Sequence, residues 1–186
     1  MRSLLMPLVA AFALSGCAGV STIEIGQDLH PRPNTPFTTV APQSLALILD
    51  PSIVDKVTLP GDWAYETQLT AWRRTLINGY MSGLGVYFSP VPAGQPADLA
   101  LDIVKADVAW TPPGSRLTVQ ITYKAQLIDR NGNTVAVVAN TVTAKHALTN
   151  DDGAEADCVN SAVESLYEDI ATTLVRPAVP LNGSQG

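Results

Sequence analysis

The chain has 186 residues, 46% of them hydrophobic, and carries 11 basic against 17 acidic side chains, for a formal net charge of −6. That length and apolar content suit one globular domain with a proper core. An acidic balance without any run of Lys or Arg argues against nucleic acid as a partner and against recognition of anionic lipid by charge, since both need basic clusters.

Taken from the N-terminus, Arg2 precedes an apolar run from Leu4 to Leu14 that only Pro7 interrupts. The run is shorter than the roughly 20 apolar residues of a membrane-spanning helix, and it fits the apolar region of a secretory signal. It ends in Leu14-Ser15-Gly16-Cys17, two small residues and then a cysteine. This stretch resembles the lipobox of bacterial lipoproteins. The resemblance implies cleavage before Cys17, residues 1–16 being a signal peptide, and acylation (palmitate or similar chains) on the new N-terminal cysteine. Each buried acyl CH₂ then contributes about 0.8 kcal/mol, so the anchor holds without a transmembrane helix. Ala18, not Asp, follows the cysteine, which by likeness to the bacterial sorting pattern implies the outer membrane, periplasmic side. The competing reading makes the run a buried helix and Cys17 a core thiol.

Removing residues 1–16 takes Arg2 away and leaves 10 basic against 17 acidic side chains, a balance of −7. With Cys17 acylated, Cys158 has no internal cysteine to pair with; it reads as a small buried hydrophobe, or as a thiol for an intermolecular bridge or a reaction. Residues 17–42 contain Pro31, Pro33, Pro36 and Pro42 among Ser, Thr and Gly, so they read as a lipidated N-terminus on a flexible tether. Fully stretched, such a segment reaches on the order of 80 Å. Within it, Ser21 to Ile25 suits a short strand. Residues 178–186 read as a disordered tail.

Residues 43–177 form the predicted domain. Gln43 to Asp50, with leucines at 45, 47 and 49, is a buried strand. Asp62 suits an N-cap, and Tyr65, Leu69, Trp72, Leu76 and Tyr80 then predict an amphipathic helix from Trp63 to the glycines Gly83 and Gly85. Arg73 and Arg74 flank its stripe, solvated or paired with acids. Val86-Tyr87-Phe88 is a brief strand. From Asp98 to Trp110, Leu99, Leu101 and Ile103 alternate, and Val104, Ala106, Val108 and Trp110 continue one residue out of phase. A β-bulge near Ile103-Val104 keeps both sets on the core side. After a turn at Thr111 to Ser115, Leu117, Val119, Ile121, Tyr123, Ala125 and Leu127 face inward, with Thr118, Gln120, Thr122, Lys124 and Gln126 outward. Asn131-Gly132 marks a hairpin, and Thr134 to Leu148 is a third long strand. Asn150 to Gly153 opens a helix striped by Ala154, Cys158, Ala162, Leu166, Ile170 and Leu174, with Pro177 as its stop. The fold class is α+β: an antiparallel or mixed sheet of four to five strands, with two amphipathic helices packed on one face.

The residues that carry chemistry are sparse. His30 and His146 are the two histidines, and zinc needs three or four converging ligands. His146 with Asp151 and Asp152 is the one conceivable cluster, and capping explains those aspartates more simply. Neither a phosphate loop nor a nucleophile elbow is present. Asp98 and Asp102 fall on an outward strand face, where solvent should hold their pKa near normal. Trp110 beside Pro112-Pro113 is either core packing at a strand end or a contact for a partner or ligand at a hairpin tip.

The order of elements, the strand–Asp129-Arg130-Asn131-Gly132–strand hairpin and the final Glu164-Ser165-Leu166-Tyr167 … Leu174-Val175-Arg176 helix resemble outer-membrane lipoproteins of the LptE kind. YajG-like lipoproteins and the auxiliary lipoproteins of lipid-transport ABC systems share a comparable layout. The anchor, the tether and the sparse chemistry predict a non-catalytic accessory protein, without cofactor or metal, held to the membrane through Cys17. Its implied partner is an envelope protein complex in outer-membrane assembly or lipid or lipopolysaccharide transport. The acidic surface departs from that pattern where direct lipopolysaccharide binding is concerned. A lipid- or glycan-binding periplasmic module is the second expectation.

Overall fold

A computed structural model describes residues 21–26, 29–37, 41–59, 65–92, 94–111, 116–147 and 153–179. In chain order the elements are β1 (Ser21–Ile25), β2 (Ala41–Leu49), β3 (Val57–Leu59), β4 (Tyr65–Leu69) and α1 (Trp72–Gly83). A 3₁₀ turn (Gly85–Tyr87) leads to β5 (Phe88–Ser89), β6 (Leu99–Thr111), β7 (Arg116–Asp129), β8 (Thr134–Ala147) and α2 (Ala154–Ile170). A π-helical turn (Ala171–Val175) and one α turn (Arg176–Ala178) continue α2.

The main sheet has the order β5-β2-β6-β7-β8. It is mixed: β2 runs parallel to both β5 and β6, and the long β6-β7-β8 meander is antiparallel. The alternation along β7 gives this sheet one buried face. Leu117, Val119, Ile121, Tyr123, Ala125 and Leu127 are all buried, while Thr122 meets Thr141 of β8 across the outer face at 3.0 Å. The phase change in β6 is the expected bulge, since Ile103 pairs with Ala125 but Lys105 with Lys124, leaving Val104 as the extra residue. Ala106, Val108 and Trp110 thereby return to the inner face. At the β7–β8 hairpin, Asp129 accepts hydrogen bonds from the backbone N–H groups of Asn131 and Asn133, both at 2.8 Å. Gly132 takes φ of +84°, a left-handed conformation that favours glycine.

Both helices pack on the inner face. The stripe of α2, Ala154, Cys158, Val159, Ala162, Val163, Leu166, Tyr167 and Ile170, is wholly buried. On α1, Trp72, Leu76 and Tyr80 point the same way, and each polar tip finds a backbone carbonyl. The Trp72 indole N–H donates to Ala106 O at 3.0 Å, and the Tyr80 hydroxyl to Leu45 O at 2.6 Å. From α2, the Tyr167 hydroxyl donates to Leu76 O at 2.7 Å. Buried aromatics thus bring most of their area into the core without stranding a donor. Gly79 sets how closely the helices approach, for a Cβ there would lie 2.7 Å from Val163 Cγ1 and 2.8 Å from the Tyr167 ring.

Val86-Tyr87 lies in the 3₁₀ turn, and only Phe88 of that stretch is in a strand. The last helical turn passes Pro177 to Ala178, and Val179 is buried, not part of a disordered tail. Two further expectations require correction. The predicted helix from Trp63 begins only at Trp72, because Tyr65–Leu69 is a strand between β1 and β3 in a separate three-stranded sheet. The apolar spacing 65, 69, 72 fits a helix, yet Thr67 and Leu69 also alternate, and they are buried. Two pairing partners decide for the strand. Asp62 lies outside the described residues, and the cap comes from elsewhere in the chain: Asp55 accepts from Trp72 N through its carbonyl and from Arg73 N through its carboxylate. Arg73 is likewise no solvated flank, since its guanidinium donates to the carbonyls of Leu49, Asp50 and Ile53 and fixes the end of β2.

The second correction concerns the tether. Residues 29–37 are a strap laid over the helix pair. Leu29, Pro31, Pro33, Thr35 and Phe37 are buried in alternation with the exposed His30, Arg32, Asn34 and Pro36. Proline forbids a helix here but not an extended chain, and an extended chain places every second side chain on one face.

Candidate functional site

Of the residues expected to carry function, Cys17, Pro112 and Pro113 lie outside the described residues. Asp151 and Asp152, offered with His146 as a metal cluster, do so too. Trp110 is described and is 7% exposed, across from Val119 on the inner face of the sheet. Its ring therefore packs in the core and offers little surface at the strand end.

The strap is the feature that the composition concealed. Its backbone hydrogen-bonds along both helices: Arg32 N donates to Glu164 Oε1 and Asn34 N to Glu168 Oε1, each at 2.8 Å. From α1, Ser82 Oγ donates to Pro31 O at 2.6 Å and Asn78 Nδ2 to Leu29 O at 3.2 Å, while Thr35 Oγ1 donates to Gly83 O at 3.1 Å. Gly83 admits the strap, since a Cβ there would stand 2.9 Å from the Pro33 ring. Upstream, β1 runs parallel to β4 in register from Ser21↔Tyr65 to Ile25↔Leu69. Gly26 follows at φ of +136°, where a Cβ would fall 1.8 Å from Thr70 O. The signal for all this was the period-two burial pattern and two glycines one turn apart on α1. Neither was distinctive without the partners.

The ionisable groups serve the same purpose of holding chain segments together. Asp98 accepts from Ser44 N at 2.9 Å and Ser44 Oγ at 2.8 Å, and pairs with Arg130 at 2.8 Å. Those Ser44 bonds, with a smaller contribution from Arg130, hold its carboxyl below the usual carboxylate range, where solvent alone was expected to leave it near normal. Asp102 accepts from Gln126 Nε2 at 2.8 Å. Asp169 accepts both the Tyr123 hydroxyl at 2.6 Å and Asn140 Nδ2 at 2.7 Å, stitching α2 to β7 and β8. Burial first, then the Asp169 carboxylate, pushes the Tyr123 phenol up. Cys158 is buried against Leu117 O, and burial raises its thiol pKa. A thiol so placed is a poor nucleophile. Among the described residues no three His, Cys, Asp or Glu converge as metal ligands would, and no helix is long and apolar enough to cross a membrane.

Two concavities are formed by described residues. One of about 240 Å³ is lined by Ile53, Val54, Val57 and the β6 stretch Lys105 to Val108, where Lys105 and Asp107 form an exposed ion pair at 2.8 Å. The other, an open depression of about 540 Å³, is bounded by His30, Pro31, Arg32, Asn78, Met81 and Ser82 where the strap crosses α1. Beside it, Ile77 and Met81 are 43% and 57% exposed on the outer side of α1.

No family model matches the chain, and no curated protein matches it. Solved structures do. The crystal structure of a minor lipoprotein from Acinetobacter baumannii is 14% identical, with a TM-score of 0.46 over 76% of this chain and 96% of that one. Protein XCC0632 from Xanthomonas campestris, of the family DUF330, is 16% identical, with a TM-score of 0.54 over 83% of this chain and 93% of that one. The likeness to the Xanthomonas protein is one of fold, and it extends through the α+β body.

Proposed function

We propose that this protein is a lipid-anchored accessory protein of the bacterial cell envelope that acts by binding a protein partner and performs no chemistry of its own. The observation that carries the reading is where the polar groups go. Asp98, Asp169, Glu164, Glu168, Tyr80, Tyr123 and Tyr167 all spend their hydrogen bonds on joining one segment of this chain to another. A catalytic site keeps such groups convergent on an open pocket, whereas here they build a rigid body. The lipobox-like Leu14-Ser15-Gly16-Cys17 supports the anchor, and Ala18 supports the periplasmic side of the outer membrane. Outer-membrane assembly and lipid or lipopolysaccharide transport are the processes such a protein would serve. The alternative, a lipid- or glycan-binding module, would use the open face of the sheet or the turn after Trp110, a residue that is itself buried.

Photo-crosslinking amino acids placed in living cells at exposed Ile77, Met81 and Val137 test the proposal. It expects one discrete envelope protein to be captured from one of these faces, with capture from the others absent. No adduct from any face, or turnover of a substrate by the purified protein, would contradict it.

A further inference from the structure

The folded body starts close to the anchor. Only Ala18, Gly19 and Val20 stand between Cys17 and Ser21, and Ser21, the first residue of β1, already pairs with Tyr65 of β4. Four Cα-to-Cα steps in a fully extended chain cover about 14 Å at most. The reach of some 80 Å that composition alone allows is therefore removed, because two structures consume the chain that would supply it. β1 is held by five register pairs and the Gly26 turn, where Thr70 N donates to Ile25 O at 2.6 Å. The strap 29–37 is then held over α1 and α2. Headgroups occupy only about 5–8 Å of each leaflet outside the hydrocarbon, so 14 Å of chain cannot lift the body far above them.

We infer that the edge formed by the start of β1 and the start of β4 is apposed to the headgroup layer of the membrane that holds the acyl chains of Cys17. This inference rests on the acylation of Cys17. Lipid is the occupant because the covalent tether leaves room for nothing thicker; charge does not bring the body there, since the mature chain is acidic and Glu24 on β1 is exposed. The body faces the membrane by one defined edge, and a partner must meet it at that membrane surface, from the sides that point away from β1. It does not reach a partner across the periplasm.

The test uses the full protein, matured in cells and reconstituted in phosphatidylethanolamine–phosphatidylglycerol vesicles doped with a nitroxide-headgroup lipid. A fluorophore is attached at Glu24→Cys, an exposed position; Cys158 is buried and stays unlabelled. A second form carries an insertion of about 20 Gly/Ser residues between Val20 and Ser21, with an r.m.s. span of about 25 Å. The inference expects quenching of the label in the natural spacing and loss of that quenching on insertion. Co-flotation with equal quenching in the two forms would overturn the short-tether inference alone. Failure of the mature protein to float with vesicles would overturn the anchor itself, and this inference with it.

Discussion

Glu164 and Glu168 lie one turn apart on α2 and accept the N–H groups of Arg32 and Asn34 at 2.8 Å. Replacing both with Ala keeps helix propensity high and removes two acceptors from the strap. Both bonds are exposed to solvent, so each is worth about 1 kcal/mol rather than the larger figure for charged groups. Together they amount to about 2 kcal/mol, which is roughly a 30-fold rise in the opening constant of the strap. Leu29 and Phe37 remain buried, each holding the strap by about 1.5–3 kcal/mol, so the opening stays local. Native-state hydrogen exchange is the assay. Backbone amides within residues 29–37 should exchange about 30-fold faster in the double variant, with those of Ala162 to Ile170 unchanged. If the wild-type segment already exchanges at the rate of a free chain, and the variant does no better, the strap is the flexible tether that its prolines suggest and the reasoning fails.

Other predictions follow from the same contacts. Gly79→Val should lower stability by about 1–3 kcal/mol through overpacking against Val163 and Tyr167, read as a lower urea midpoint; an unchanged or raised midpoint would show that the helices are not in close contact. Burial pushes the Tyr80 phenol from its ordinary 10.0 up to about 12, and Tyr123 and Tyr167 are raised too. The neutral phenol is favoured in the folded state, so this stability is full below the unfolded pKa near 10 and lost as pH climbs through the raised native values. Phenolate absorbance of these tyrosines should therefore rise together with loss of the circular dichroism signal; ionisation near pH 10 with the fold intact would refute their burial. Asp98 behaves in the opposite sense. Its lowered carboxyl stabilises the fold above the unfolded value of 3.8, and that contribution is lost as pH falls through the native one. Asp98→Asn should flatten the acid limb of the stability–pH curve, and an identical limb in both proteins would contradict the Ser44 geometry.

The parts of the fold legible in the sequence are those whose reason is local. β7 alternates because it is buried on one face only; the one-residue slip in β6 forces a bulge; the hairpin needs Asn131-Gly132; and α2 repeats its apolar residues at helical spacing. What escaped notice depends on residues far away. Arg32 and Asn34 bond to glutamates 132 and 134 positions along the chain, and nothing in a proline-spaced segment announces such partners. Tyr65–Leu69 fits a helix stripe until β1 and β3 are present to pair with it. The anchor expected at Cys17 came from a short ordered pattern, whereas Trp110 beside its turn was open to two readings, core packing or contact. Phase decides that case: set one residue later by the bulge, Trp110 faces inward.

The central claim is that this rigid body hangs from an acylated Cys17. Intact-mass and peptide mass spectrometry of the protein isolated from bacterial membranes tests it most directly. The account predicts a mature chain beginning at Cys17, without residues 1–16, with acyl chains on that cysteine and a shift to the soluble fraction in Cys17→Ser. A membrane-associated chain that retains residues 1–16, or an unmodified Cys17, would contradict it.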